Sequence, residues 1–285
     1  MGCYYPFAFD SAIISADGEY AFIYKKLGTK GLLLKNGELV REINRSYYCA
    51  ASYEYPAAFI TFQNKTYLVH CPMAYNQLDF EDVETGELIT KIQGRQPDDH
   101  FYSRLEVSPD GMYLISKGWV WHPLHMVLVF NIPECMTNPH LLDKSQICPN
   151  FGIEICTASF VDNDTIVLGA SEEVYDEETP QLPIKHIALW NFKTNELSNP
   201  VKPTVDIGNL YAINHNYVWD LYGFPKIINL NTGEVVESKI EIDSGKQQSS
   251  MTSDRFPSIV FNSKTKHIAI KGKELIEVLS PEIVF

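Results

Sequence analysis

Residues 116–130, SKGWVWHPLHMVLVF, bring Trp119, Trp121, His122 and His125 together just ahead of an apolar stretch. Imidazoles bind metals and move protons, and indoles anchor protein partners or stack on flat ligands. His122 and His125 have H-x-x-H spacing, which shares a face only on a helix, and Pro123 with the strand pattern that follows argues against one. In extended chain the two rings diverge, and no third ligand stands at a spacing that zinc uses. Neither a metal nor another cofactor is expected. Extended chain puts Trp119 and Trp121 on one side and Val120 and His122 on the other. The tryptophans are then either plugs between structural units or, with His122, an aromatic recognition patch.

A second candidate is PDDHFYSR, residues 97–104, with Asp98, Asp99, His100, Tyr102 and Arg104. These types suit acid–base work and anion binding, so an enzyme reading rests on His100, Arg104 and His122. Sequence neighbours seldom aim at one substrate, and a polar loop is the simpler account. A third is SEEVYDEETPQLP, residues 171–183, where Glu172, Glu173, Asp176, Glu177 and Glu178 surround Tyr175. A run of this kind is either a solvated loop or a docking surface for a basic protein. It lacks EF-hand spacing. The chain also lacks G-x-S-x-G, a P-loop and G-x-G-x-x-G, which removes the commonest hydrolase and nucleotide-binding signatures.

The whole chain narrows the choice. A formal net charge of −13 opposes nonspecific nucleic-acid binding and favours a basic partner. With 45% hydrophobic and 12% aromatic residues, the chain has enough apolar surface for a large core. Cys3, Cys49, Cys71, Cys135, Cys148 and Cys156 form no CxxC pair and read as thiols in a reducing compartment. MGCYYPFAFD has neither a signal peptide's regions nor the myristoylation pattern, and no apolar run approaches the roughly 18 residues a membrane helix needs. A soluble, cytoplasmic, monomeric protein is expected.

The elements that must position these residues are strands. IISADGEYAFI and LEVSPDGMYLI each read as strand, Asp-Gly turn, strand, because this dipeptide supplies positive φ angles. Weaker copies follow, with turns centred near residues 17, 64, 110, 163, 215 and 264. The step is about 50 residues, a propeller-blade period. A second turn recurs in LLLKNGELVREI, FEDVETGELITKI, LWNFKTNELSNPV and INLNTGEVVESKI, so a unit has four strands. In the third unit NIPECMTNPHLLDKSQICPN replaces that turn with a short helical insert, and the sixth unit is truncated. The expected fold is all-β: one β-propeller domain over residues 1–285, built of four-stranded antiparallel blades. Six blades are readable, and a seventh can be assembled from the N-terminal segment and residues 133–152.

The S-x-D-G-x-Y and T-G-E turns resemble the WD40-like and YVTN-type β-propeller repeats common in bacterial proteins. The resemblance spans the chain and implies a fold; the Gly-His and Trp-Asp dipeptides of eukaryotic WD40 blades do not recur. It also implies that short turns gather on one face and the longer B–C and D–A loops on the other, where function concentrates. Tyr102, Arg104, Trp119, Trp121, His122, Tyr175, Asp176, Glu177, Glu178, Tyr222 and Phe224 are the candidate partner-binding residues on that loop-rich face. The expected function is non-enzymatic binding of a basic protein, with bacterial immunity against a basic toxin as its specific form. The alternatives are a propeller hydrolase or lyase at the channel mouth, or a carbohydrate-binding propeller.

Overall fold

The structure is a computed structural model that describes residues 8–121, 124–145, 147–174, 180–249, 251, 258–272 and 274–283. Its strands form six separate antiparallel sheets, each drawn from one continuous stretch: residues 11–44, 58–82, 106–131, 153–197, 210–238 and 259–279. We call these blades one to six. Within each sheet the strands lie side by side in chain order, so every connection is a simple up-and-down step. The architecture is the expected all-β propeller. Blades one, four and five carry four paired strands, and the others three. In blade two the fourth position keeps one isolated bridge, Glu81 to Leu88. In blade three it also keeps one isolated bridge, Val129 to Ile147, reached through the expected insert, helix α1 (Ile132–Thr137) followed by a 3-10 turn at Pro139–Leu142. Asn131 caps α1 through its side chain, which accepts from Glu134 N–H, and Pro133 sits in the first turn, where its missing N–H costs nothing.

The recurring S-x-D-G turn works in a different way from a tight hairpin of two positive-φ residues. Only the glycines are left-handed, Gly18 at φ 78° and Gly111 at φ 75°. The aspartate carboxylate folds onto the turn instead. Asp17 Oδ1 accepts from Glu19 N–H at 2.9 Å, and Asp110 Oδ1 from Met112 N–H at 3.0 Å. Ser15 and Ser108 then accept from Tyr20 N–H and Tyr113 N–H, at 3.0 and 2.9 Å, which fixes the start of the second strand. The motif is a side-chain-locked loop at the same point of two blades.

Apolar clusters fill the spaces between blades. Phe22, Tyr24 and Leu33 of blade one meet Tyr55, Ala57 and Leu68, and Trp219 and Ile227 of blade five meet Ile268 and Ile270 of blade six. The innermost strands belong to different sheets, so side chains must join them. Glu106 of blade three accepts from Ser159 Oγ and Phe160 N–H of blade four, both at 2.9 Å, and pairs with Lys117 at 2.8 Å. Thr157 and Ser159 in turn accept from Leu210 and Ala212 N–H of blade five, both at 3.0 Å. Blades six and one meet where Ser258 Oγ donates to Asp10 O at 2.9 Å. There the sheet faces turned away from blades five and two leave Val260, Ile276, Val278 and Ile14 exposed.

Glu106→Ala removes the acceptor for two inter-blade bonds and strands Lys117. Urea unfolding should show a loss of about 3 kcal/mol. A change under half that size would mean that Glu106 does not join blades three and four.

Candidate functional site

The B–C and D–A connections converge at one end of the ring and carry two features, an aromatic cluster and a cleft. The cluster starts with Arg45, which opens the connection between blades one and two. Arg45 is 2% exposed and folds that loop around its guanidinium. Nε donates to Gly28 O, Nη2 to Ala50 O and Tyr53 O, and Nη1 to Glu54 O. The guanidinium also lies over the Tyr53 and Tyr55 rings, 4.3 and 4.9 Å from their centroids. With the loop fixed in this way, Tyr47 and Tyr48 are held outward.

Tyr48 contacts Tyr75 at 4.8 Å, Tyr75 stacks on Phe101 at 4.3 Å, and Phe101 stacks on Trp119 at 3.8 Å with planes 3° apart. Trp121 stands edge-on to Trp119 at 5.4 Å and to Phe101 at 5.5 Å. Trp119, Phe101 and Tyr53 are buried, whereas Trp121 is 45% and Tyr48 48% exposed. The stack is therefore a rigid base carrying an accessible rim. Tyr75 OH donates to the exposed Asp99 at 2.6 Å, so a carboxylate borders the rings.

The sequence candidates divide on this geometry. Trp121 lies at the surface of the cluster. Trp119 and Tyr102 are corrections to the expected surface: both are 1% exposed, Trp119 as the floor of the stack and Tyr102 as core, donating to Leu142 O at 3.0 Å. Arg104 does not face a partner either. Its guanidinium donates to Lys117 O, Cys156 O and Asn209 Oδ1, tying blades three, four and five together at the channel. Tyr222 and Phe224 are half-buried beside the buried ion pair of Lys226 and Asp220, whose charged atoms are 2.7 Å apart. The Tyr222 and Phe224 carbonyls accept from Lys226 Nζ. His122, Tyr175, Asp176, Glu177 and Glu178 lie outside the described residues.

His100, the histidine of the enzyme reading, is 2% exposed, with neither ring nitrogen hydrogen-bonded. Its ring packs edge-on to Tyr102 at 4.8 Å, under Gly118, where a Cβ would fall 2.5 Å from His100 Nε2. Burial pushes its pKa down from 6.5 to about 3, so it is a neutral core group. Neither His100 nor Arg104 lines the cleft.

That cleft, of about 880 Å³, opens between blades four and five. Glu154, Ala170 and Ser171 of blade four form one wall with His125, and Val205, Asp206 and Ile207 form the other. Glu154 is 4% exposed, and its oxygens accept from His125 N–H at 2.7 Å and from Ser171 Oγ. Burial raises its pKa, and burial also pushes His125 down from 6.5 to about 4. Gln248 and Ser249 close the cleft on one side, while Met251, just beyond them, pairs with Tyr53 in the aromatic cluster. One short segment thus borders both features. Sequence reasoning missed Tyr48, Tyr75 and Phe101 as ring partners and Glu154 as the cleft's carboxylate. The available signal for Glu154 is its position as the lone charge in FGIEICTASF.

No family model matches the sequence, and no curated protein matches it. Solved structures do share its shape. The chain superimposes on the WD40 domain of Neurospora crassa Pan2 with a TM-score of 0.55 and 11% identity, over 92% of this chain and 71% of that one. On the WD40 repeats of RRP9 the TM-score is 0.60, again with 11% identity, over 94% of this chain and 74% of that one. The chain has the fold of a WD40-type β-propeller. Identity this low carries the fold and nothing more.

The histidines give the fold an acid-sensitive limb. His100 and His125 have folded-state values below the unfolded 6.5, so the unfolded chain takes up protons first and stability falls as pH drops from 6.5. His100→Leu should flatten that fall between about pH 6.5 and 5 in urea unfolding, by removing one of the two titrating groups. An unchanged slope would show that His100 takes up protons equally in the folded and the unfolded chain.

Proposed function

We propose that this propeller is a protein-binding module that docks a basic partner on the aromatic rim of its loop-rich face. The observation that carries the reading is the exposed pair Trp121 and Tyr48, seated on the buried Phe101–Trp119 stack, with the exposed carboxylate of Asp99 held on the cluster by Tyr75. Rigid aromatic anchors lose little entropy on binding and dominate interface energetics. An indole face next to a carboxylate suits an arginine, which stacks on the ring and pairs with the acid at once. The net charge of −13 adds long-range attraction for a basic molecule. In its specific form the partner is a basic toxin, such as a nuclease, and the propeller acts as an immunity protein. Charge complementarity is the support for that form.

The test compares three baits in native extract at low and then high salt: wild type, Trp121→Ala and Tyr48→Ala. A basic protein should be retained by wild type at low salt, be released as salt rises, and be lost from both variants. Loss of a central aromatic should weaken binding by at least about tenfold, with melting temperature unchanged because both rings are half exposed. Equal retention by all three baits would rule out the aromatic rim as the docking surface. Unfolding of Trp121→Ala would assign that ring to the core.

A further inference from the structure

We propose that the cleft between blades four and five is a binding site for a cation on an alkyl stem, an ammonium or guanidinium group seated on Glu154. The site lies apart from the aromatic rim, and its ligand is defined by different groups. Its volume of about 880 Å³ is large enough for a small molecule or a long side chain.

The reason lies in what Glu154 lacks. Both its oxygens are held by neutral donors, the His125 N–H and the Ser171 hydroxyl, so the carboxylate is fixed in place but its charge is not neutralised. Among the described residues the one basic group within 4 Å of Glu154 is His125, with Nε2 3.9 Å away, and burial keeps that ring uncharged at neutral pH; the lysines that line the cleft, Lys185 and the exposed Lys202, make no ion pair with Glu154. The carboxylates nearer the mouth are in a different state. Lys185 spans Glu172 at 2.6 Å and Asp206 at 3.7 Å, so the rim supplies its own cation and the floor does not. A buried carboxylate without a counter-charge is costly to keep, and a cation that enters the cleft recovers that cost.

The walls fit the stem. Ala170, Pro203, Val205 and Ile207 line the same cleft as Glu154 and would pack against methylenes. The exposed Glu173 carboxylate, which also lines the cleft, would receive a second positive group of an extended ligand. This chemistry has two sources, a free polyamine or an arginine or lysine side chain presented by another protein.

Calorimetric titration of the full chain at physiological salt separates the two sources, with spermidine as the free polyamine and acetyl-Gly-Arg-Gly-amide as the protein-borne group. Saturable one-to-one binding of at least one probe is expected. Spermidine binding identifies a free ligand, and binding of the peptide alone identifies a side chain. Glu154→Gln keeps the shape and removes the charge. It should weaken binding by about tenfold or more, whereas Trp121→Ala leaves it unchanged. The raised pKa of Glu154 means its charge destabilises the fold at neutral pH, so Glu154→Gln should melt at or above the wild-type temperature. Val205→Phe, which narrows the cleft from its half-buried wall without touching a charge, should weaken the same probe. Absence of binding by both probes overturns the proposal, as does equal binding by wild type and Glu154→Gln. Failure of the aromatic-rim variants to lose a partner would leave this result untouched.

Discussion

The structure depends on a problem of connection. Six sheets are each complete in themselves, and their innermost strands share no main-chain ladder. Apolar packing pulls neighbouring blades together but is nondirectional, so it does not by itself fix how far one blade slides along the next. Register between blades is set by a few polar side chains that reach across. Glu106 holds the Phe160 amide, Thr157 the Leu210 amide and Ser159 the Ala212 amide. Arg104 extends the series at the channel by capping carbonyls of blades three and four and reaching Asn209 ahead of blade five. These groups are shielded from water, which makes each bond stronger and each missing partner more costly.

Such a frame lets the loops specialise. Arg45 does for one loop what the inter-blade bonds do for the ring, supplying donors to three backbone carbonyls in a segment with no ladder of its own and tying it to Gly28 O of blade one. Because the loop is fixed from within, it can place tyrosines outward without collapsing onto the core. The cleft shows the reverse arrangement. Its strand residues, Glu154 and Ala170, are positioned by the sheet, and its loop residues close around them. One face thus offers a flat aromatic surface and a recessed acidic one, with Gln248, Ser249 and Met251 between them.

Much of the frame was legible in the sequence because a propeller repeats its punctuation. All six first turns occur where the S-x-D-G signal and its weaker copies predict them, from Asp17-Gly18 to residues 262–266. The helical insert was legible from Pro133 and the lost T-G-E turn. The site was less legible, for a reason that Trp119 and Trp121 make plain. Two-residue periodicity puts them on one side, and they do share one cluster, yet one is sealed and the other open. The difference comes from Tyr53 and Phe101, which both pack on Trp119, Phe101 face to face, whereas Trp121 meets Phe101 only edge-on. His100 misleads in the opposite direction. Its neighbours in sequence are charged, but its neighbours in space are Tyr102 and the bare backbone at Gly118.

The meeting of blades six and one sets the order in which the molecule can assemble and come apart. Each of these blades is a continuous stretch, so neither end of the described chain is woven into the other's sheet. Every other junction is backed by a covalent connection of modest length, whereas this one joins Asp10 to Ser258 across nearly the whole chain. Closing so long a loop costs conformational entropy that the nearer pairings do not. The blades therefore stack first and the circle shuts last, with partly bare apolar sheets on either side of the join. Excursions from the native state begin there by the same logic, as a hinge that opens before any blade unravels.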